Sequence, residues 1–178
     1  PRTNKVPHRI LDLTNTGSVK TDNFPQFSWP RISNPKVHFP IDEEETAAAE
    51  AASVAEIEQA FDADPNGIAA IIIEPIQGEG GDNHFRPEFL KQLRRIADTR
   101  EAMLIFDEVQ TGIGLTGSMW AFQQLGVTPD IVAFGKKTQV CGIMSTDRVD
   151  DVDTNVFHVS SRINSTWGGN LVDMVRVA

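Results

Sequence analysis

From residue 68 onward, apolar and polar positions come in blocks whose period changes along the chain. The run IAAIII, residues 68–73, is fully apolar and short, the pattern of a strand buried on both faces. The next block, RPEFLKQLRRIADT, places Phe89, Leu93 and Ile96 at helical spacing, with Pro87 suited to a first turn. MLIFDE, residues 103–108, predicts another buried strand, TGSMWAFQQLG a short helix, and DIVAFG, residues 130–135, a third strand. Strand, helix, strand, helix and strand with short connections imply right-handed crossovers. The predicted fold class is α/β, a mostly parallel sheet with flanking helices.

Ahead of this region the pattern is looser. DEEETAAAEAASVAEIEQAFDADPNG predicts a helix: its early acids suit an N-terminus, Val54, Ile57 and Phe61 form one stripe, and Pro65, Asn66 and Gly67 close it. Residues 1–40 read as an irregular segment broken by Pro1, Pro7, Pro25, Pro30, Pro35 and Pro40. Within it, ILDLTNTG could supply a short strand ending at Gly17, and Phe24, Phe27 and Trp29 are aromatic anchors of an extended stretch. Residues 41–178 read as one domain. Beyond Phe134 the chain turns polar and glycine-punctuated, without an assignable period, until LVDMVRVA opens like a helix. A helix that stops in its first turns is expected of a fragment.

Charge narrows the partners. Lys and Arg total 16 against 25 Asp and Glu, a net charge of −9, which argues against nucleic acid or an anionic membrane as a main partner. Cys141 is the only cysteine, so an internal disulfide is impossible and a reducing compartment fits. The start lacks the apolar core of a secretory signal, and no apolar run reaches bilayer length. A cytoplasmic location is therefore expected, and the sequon at Asn164, Ser165 and Thr166 is read as chance.

Ligands of open parallel sheets bind beyond the carboxyl ends of the strands. Three polar clusters are predicted there: residues 74–82 (EPIQGEGGD), 107–112 (DEVQTG) and 135–139 (GKKTQ). An apolar strand ending in Asp-Glu occurs in nucleotide hydrolases, but these need G-x-x-x-x-G-K-[ST] upstream. Here Lys137 stands at the Ser/Thr place of GKKT, Asp130 stands at the first glycine, and the segment lies downstream of the acids. The pattern fits pyridoxal phosphate better. That cofactor needs a lysine amine and an acid against its ring nitrogen, and a nearby carboxylate keeps the nitrogen protonated by charge attraction. Asp107 and Lys136 end consecutive predicted strands, and Gln110 could donate to the cofactor's phenolic oxygen. Burial beside a cationic cofactor favours the neutral amine. Neighbouring strand residues face opposite ways, which separates Lys136 from Lys137. His84 and His158 lack metal-ligand spacing, so no metal is expected, and Cys141 reads as an inert small residue. Met119, Trp120 and Phe122 read as packing residues.

EPIQGEGGD…FRPEF, LIFDEVQTGIGLTG, WAFQQLGVTPDIVAFGKKTQVCGIM and SRINSTWGGNLVDMVR together resemble the class III (omega) aminotransferases of fold type I. The resemblance covers residues 11–178 and implies the large, cofactor-binding domain of that fold. FGKKTQVCG, INSTWGGN and LTNT…FPQFSWPRISNP narrow it to members that act on lysine. It implies PLP-dependent transfer of the ε-amino group of L-lysine to 2-oxoglutarate, giving 2-aminoadipate 6-semialdehyde and glutamate. Ornithine or 4-aminobutyrate as donor, or an inactive binding or assembly module, are the alternatives.

By resemblance, Lys136 is the Schiff-base lysine and proton shuttle, and Asp107 the partner of the ring nitrogen. Gln110 contacts the cofactor oxygen and lies close to substrate. Glu79 is the switch glutamate that pairs with a substrate-binding arginine in one half-reaction, and Glu74 a second pocket acid for a distal ammonium. Thr166, with Asn164, reaches the partner subunit's cofactor phosphate, which implies a homodimer. The family's upstream phosphate loop and its C-terminal arginine-bearing domain have no counterpart here. PRTNKVPHRI stands where the lysine enzymes carry an aromatic-His-Gly-Arg stretch, and Arg9 is out of register with that arginine. This chain alone is therefore expected to bind the cofactor weakly or not at all.

Overall fold

The computed structural model describes residues 9–13, 23, 25, 27–64, 67–163 and 166–177. A five-stranded sheet runs in the order β1 (Arg9–Asp12), β2 (Ile68–Ile73), β5 (Met103–Asp107), β6 (Ile131–Phe134) and β7 (Gly142–Ser145). The first four strands are parallel, and β7 is antiparallel to β6. The expected mostly parallel sheet is thus present, closed at one side by an antiparallel edge that the sequence pattern did not reveal. The strand expected in ILDLTNTG is β1; residues 14–22 lie outside the described set, as do Phe24, Pro65 and Asn66.

Burial explains which strands the sequence announces. In β2, between β1 and β5, Ile68, Ala70, Ile71 and Ile73 are buried and the other two residues half-buried, so nearly every position had to be apolar. β5 alternates instead: Leu104 and Phe106 are fully buried, while Met103, Ile105 and Asp107 are half-buried on the opposite face. β7 exposes three of its four residues, and Gly142 leaves room for the Phe134 ring, whose Cζ would lie 2.5 Å from any Cβ placed there.

Helix α1 (Glu43–Ala63) starts at Asp42, whose Oδ1 accepts from the Glu44 and Glu45 N–H groups at 3.0 Å each. Glu43, Glu44 and Glu45 fill its first turn, where the helix dipole favours negative charge. Its apolar stripe is as expected, with Ile57 and Phe61 buried and Val54 partly so. Helix α2 (Pro87–Thr99) buries Phe89, Leu90, Leu93 and Ile96 and packs on α1, β2 and β5. Arg86, just before α2, donates from Nε and Nη2 to the buried Glu50 of α1 at 2.8 and 2.7 Å. These bonds, and the Glu50 charge, hold the guanidinium's pKa above its already high ordinary value.

Two smaller devices set the strand ends. A two-residue antiparallel ribbon, β3 (Ile76–Gln77) with β4 (Asn83–His84), folds the segment after β2 back on itself. At the start of β6, Asp130 Oδ2 accepts from Leu104 N at 2.7 Å and Arg94 Nη1 at 2.9 Å, locking β6 to β5 and α2. A short helix α3 (Ala121–Leu125) precedes β6, and α4 (Leu171–Val177) ends the described chain. Among the described residues, no helix is long and apolar enough to cross a membrane.

Candidate active site

Strands β2, β5 and β6 are sheet neighbours and parallel, so their carboxyl ends meet at one edge. Register places Ile73 beside Phe106, and Asp107 beside Ala133. Glu74 therefore follows β2 level with Asp107, and Lys136 stands three residues past the Asp107 partner.

The first cluster is shaped by Gln77, a fully buried amide. Its Nε2 donates to the Leu13 carbonyl at 2.6 Å, and its Oε1 accepts from Asn34 and Asn83 Nδ2 at 2.6 and 2.8 Å. With Gly81 and Asp82 N–H both donating to the Gly78 carbonyl at 3.1 Å, the segment closes as a tight loop with Glu79 exposed in it. Glu74 is half-buried, and its Oε2 accepts from Gly78 N at 3.3 Å. Burial pushes its carboxyl above the ordinary value of 4.5 and the Gly78 N–H pulls it back; Asp107 and Glu79 push it up and Lys136 draws it down. Glu74 thus senses all three of the other predicted charges, which places the four in one electrostatic neighbourhood.

The second cluster divides its two acids cleanly. Asp107 is half-buried, and its Oδ1 accepts from Val109 N at 3.0 Å. No hydrogen bond from the described residues reaches its other oxygen. Glu108, by contrast, is 1 % exposed and accepts three hydrogen bonds, one from Thr111 in the loop that follows it and two from the first N–H groups of α3.

The third cluster departs from the sequence expectation. Gly135 is extended, and the chain then enters a 3-10 turn, Lys136–Thr138, in which Lys136 takes a left-handed φ of 51°. A lysine in that region is uncommon and strained, the kind of outlier that accompanies functional positions. Strand alternation no longer applies past Gly135. Lys136 Nζ donates to Gln110 Oε1, and Lys137 Nζ donates to the Gln110 main-chain carbonyl at 2.5 Å. Both ammonium groups therefore turn to one residue. Both lysines are exposed, so the burial anticipated for Lys136 is not supplied by this chain.

The structure thus brings Glu74, Asp107, Gln110 and Lys136 together, with Glu79 electrostatically coupled to them. Thr166 stands in an exposed turn, and no hydrogen bond among the described residues joins it to this group; Asn164 lies outside the described set. A cavity of about 670 Å³ opens between Phe134, Gln139 and Cys141 on one side and Trp167, Gly169 and Asn170 on the other. Trp120 lies against Phe134 with ring centroids 6.1 Å apart, and Phe122 packs on the core, while Met119 is exposed. The sequence pattern did not single out Gln77, whose only signal was membership of the EPIQGEGG cluster, and it set Lys137 apart from Lys136 by a strand alternation that does not extend past Gly135.

The donor set fits pyridoxal phosphate. It offers the Lys136 amine, the half-buried Asp107 carboxylate, one oxygen of which receives no hydrogen bond from the described residues, and the Gln110 amide that accepts from Lys136 Nζ.

Comparison with known proteins agrees. The model of the aminotransferase class-III family matches residues 8–178. The L-lysine-epsilon aminotransferase of Mycobacterium tuberculosis is 60% identical over 166 residues, covering 93% of this chain and 37% of that protein. Its namesake from Streptomyces clavuligerus is 55% identical over 168 residues, with the same coverage of 93% and 37%. The solved lysine aminotransferase from M. tuberculosis, in its internal aldimine form, superposes with a TM-score of 0.92 at 53% identity, covering 97% of this chain and 43% of that one. The chain therefore spans well under half the length of these relatives, and its sheet is that of the fold-type I, PLP-dependent aminotransferases. The chain belongs to the class-III aminotransferases.

Proposed function

We propose that this chain is the cofactor-anchoring part of an aminotransferase that moves the ε-amino group of L-lysine to 2-oxoglutarate, giving 2-aminoadipate 6-semialdehyde and glutamate. The observation that carries this reading is the convergence of Lys136, Gln110, Asp107 and Glu74 at the carboxyl edge of three adjacent parallel strands. The likeness to lysine-epsilon aminotransferases chooses the amino donor.

Pyridoxal phosphate, when bound, supplies an aldehyde that can accept an amino group and a protonated ring that withdraws electrons. Lys136 holds it through Nζ. Asp107 offers its open carboxylate oxygen to the ring nitrogen and keeps a proton there by charge attraction. Gln110 orients the phenolic edge and adjoins the substrate. Once the ε-amino group of the substrate has taken its place on the cofactor, the freed and neutral Lys136 Nζ, one hydrogen bond from Gln110, would take the proton of the substrate's ε-carbon as a general base. Glu74 receives the far ammonium of that substrate. Glu79 opposes the arginine that binds a substrate carboxylate in one half-reaction and releases it in the other. Thr166 and Asn164 serve the phosphate of a partner subunit in a homodimer.

The test is a donor panel on the polypeptide at the full length of its relatives, with 2-oxoglutarate as acceptor and glutamate as readout. L-lysine should outrun ornithine and 4-aminobutyrate, and Lys136→Ala should abolish turnover. Preference for 4-aminobutyrate or ornithine would refute the donor, and lysine turnover by Lys136→Ala would refute the site.

A further inference from the structure

Glu108 is buried beside the site, and the reaction proposed above leaves it without a task. Its carboxylate is nonetheless fully used. Oε2 accepts from Thr111 Oγ1 at 2.9 Å and from Ala121 N at 2.7 Å, and Oε1 accepts from Phe122 N at 2.9 Å. Ala121 and Phe122 open α3, so the carboxylate bridges the two ends of the loop 109–120. The main chain repeats the closure. Gly112 N donates to the Glu108 carbonyl at 2.8 Å, and Ile113 N to the Met119 carbonyl at 2.7 Å. Thr111 is 1 % exposed, and next to it Gln110 meets both lysines.

We propose that Glu108 is a positioning residue for Gln110: by gripping Thr111 and the start of α3, its carboxylate fixes the loop that holds the Gln110 amide on Lys136 Nζ. The chemistry requires a carboxylate. All three neighbours can donate, and two of them are main-chain N–H groups that cannot do otherwise. A glutamine at 108 presents one oxygen and one NH₂, so at least one of the Ala121 and Phe122 N–H groups loses its acceptor. The loop then has to move to reach water or another partner. Thr111 anchors the residue next to Gln110, and that movement is transmitted to the amide. The inference rests on the role given above to Gln110.

The test is a double-mutant cycle on the full-length holoenzyme, reading kcat and KM for lysine. Glu108→Gln should lower kcat/KM roughly tenfold, comparable to losing one hydrogen bond to a charged group. It should change kcat and KM in the same proportion as Gln110→Ala does. In the Gln110→Ala background its further cost should shrink to less than about threefold, the non-additivity of residues acting through one another. Thr111→Val removes a single donor and keeps the shape, so it runs the same cycle if Glu108→Gln does not fold. Costs that multiply in full, or a loss of active enzyme with KM unchanged, would overturn the proposal, as would wild-type kcat/KM in the Glu108 and Thr111 variants. An unaltered rate in Gln110→Ala alone would overturn both this proposal and the role assigned to Gln110, whereas an impaired Gln110→Ala with fully multiplying costs overturns only the role of Glu108.

Discussion

Lys137 donates from Nζ to the main-chain carbonyl of Gln110, 2.5 Å away, while its neighbour Lys136 donates to the side-chain Oε1 of the same residue. The pair divides one anchor between two ammonium groups. Geometry alone does not single out the reactive amine, since both are exposed. Their variants should separate sharply. Lys137→Met loses one exposed hydrogen bond, roughly 0.5–1.5 kcal/mol, and should cost about two- to tenfold in kcat/KM, with Lys137→Arg restoring most of it. Lys136→Arg keeps the charge but cannot serve as the base, and should lose at least the roughly 10²–10⁴-fold that a placed proton-transfer group contributes. Steady-state kinetics on the full-length protein decides; comparable losses in the two variants would contradict the assignment.

Glu74 is a liability to the fold at neutral pH. Its carboxyl is raised above 4.5 chiefly by burial, so the folded chain holds that proton more tightly than the unfolded chain does. Stability contributed at this position is therefore greatest in acid and is lost as pH climbs from 4.5 through the raised value. Glu74→Gln keeps an acceptor for Gly78 N and removes the charge. The variant should unfold at a higher temperature than the wild type near neutral pH, and the difference should vanish below about pH 4.5. Activity should move the other way. Without the carboxylate, KM for lysine should rise roughly tenfold or more, the cost of one charge-assisted contact. Thermal midpoints at the two pH values, alongside KM, check both halves of the trade.

The parts of this architecture that the sequence announces are those whose burial leaves little choice of residue. β2 is covered on both faces, so its apolar run is continuous; α2 buries one stripe, so its spacing is helical. β7 escapes because an exposed edge strand needs no apolar pattern, and its glycine is required by the Phe134 ring rather than by a turn. The β3–β4 ribbon is too short to show a period, and its keystone, Gln77, is a polar residue whose burial rests on two distant partners, Leu13 and Asn34, and one within the ribbon, Asn83. At the site, Asp107 and Gln110 stand where strand ends predict them. Lys137 does not, because alternation assumes a strand and the strand stops at Phe134. The Asp-Glu pair was legible as a strand end, and the division within it is a finding of the structure: one Asp107 oxygen receives no hydrogen bond from the described residues, while Glu108 is consumed by Thr111 and the start of α3.

Asp130 should carry stability and no catalysis. It is 8 % exposed at its side chain, and its Oδ2 serves Leu104 N, Arg94 and, at 3.2 Å, Arg148. Asp130→Ala leaves the buried Leu104 N–H without its acceptor and takes from the largely covered Arg94 guanidinium one of its two carboxylate partners, Asp98 being the one that stays. Unfolding free energy should fall by about 3 kcal/mol, the scale for breaking a buried pair from one side. KM for lysine should not change, because the network ties α2 and the 3-10 turn Asp147–Asp151 to the amino ends of the strands, away from the carboxyl edge. Denaturant titration with parallel kinetics tests both statements, and a KM shift without a stability loss would count against them.

Gly112 is the tightest point of the loop that carries Gln110. A Cβ there would lie 2.4 Å from Trp120 Cζ3, 2.7 Å from Trp120 Cε3 and 2.9 Å from the Glu108 carbonyl oxygen. The indole can rotate away, but the carbonyl is main chain and also accepts from Gly112 N at 2.8 Å, so the turn itself must open. Gly112→Ala should therefore destabilise by about 1–3 kcal/mol, the usual cost of overpacking. It should also lower kcat/KM, since Gln110 and Thr111 lie inside the same turn. Trp120→Leu relieves the ring contacts and leaves the carbonyl contact in place. Combined with Gly112→Ala it should recover part of the stability and little of the activity. Thermal midpoints, near-ultraviolet dichroism of the indole and kcat/KM for the two single variants and the double variant make the test. Full recovery in the double variant would show that the ring, rather than the turn closed on Glu108, is what a side chain at 112 disturbs.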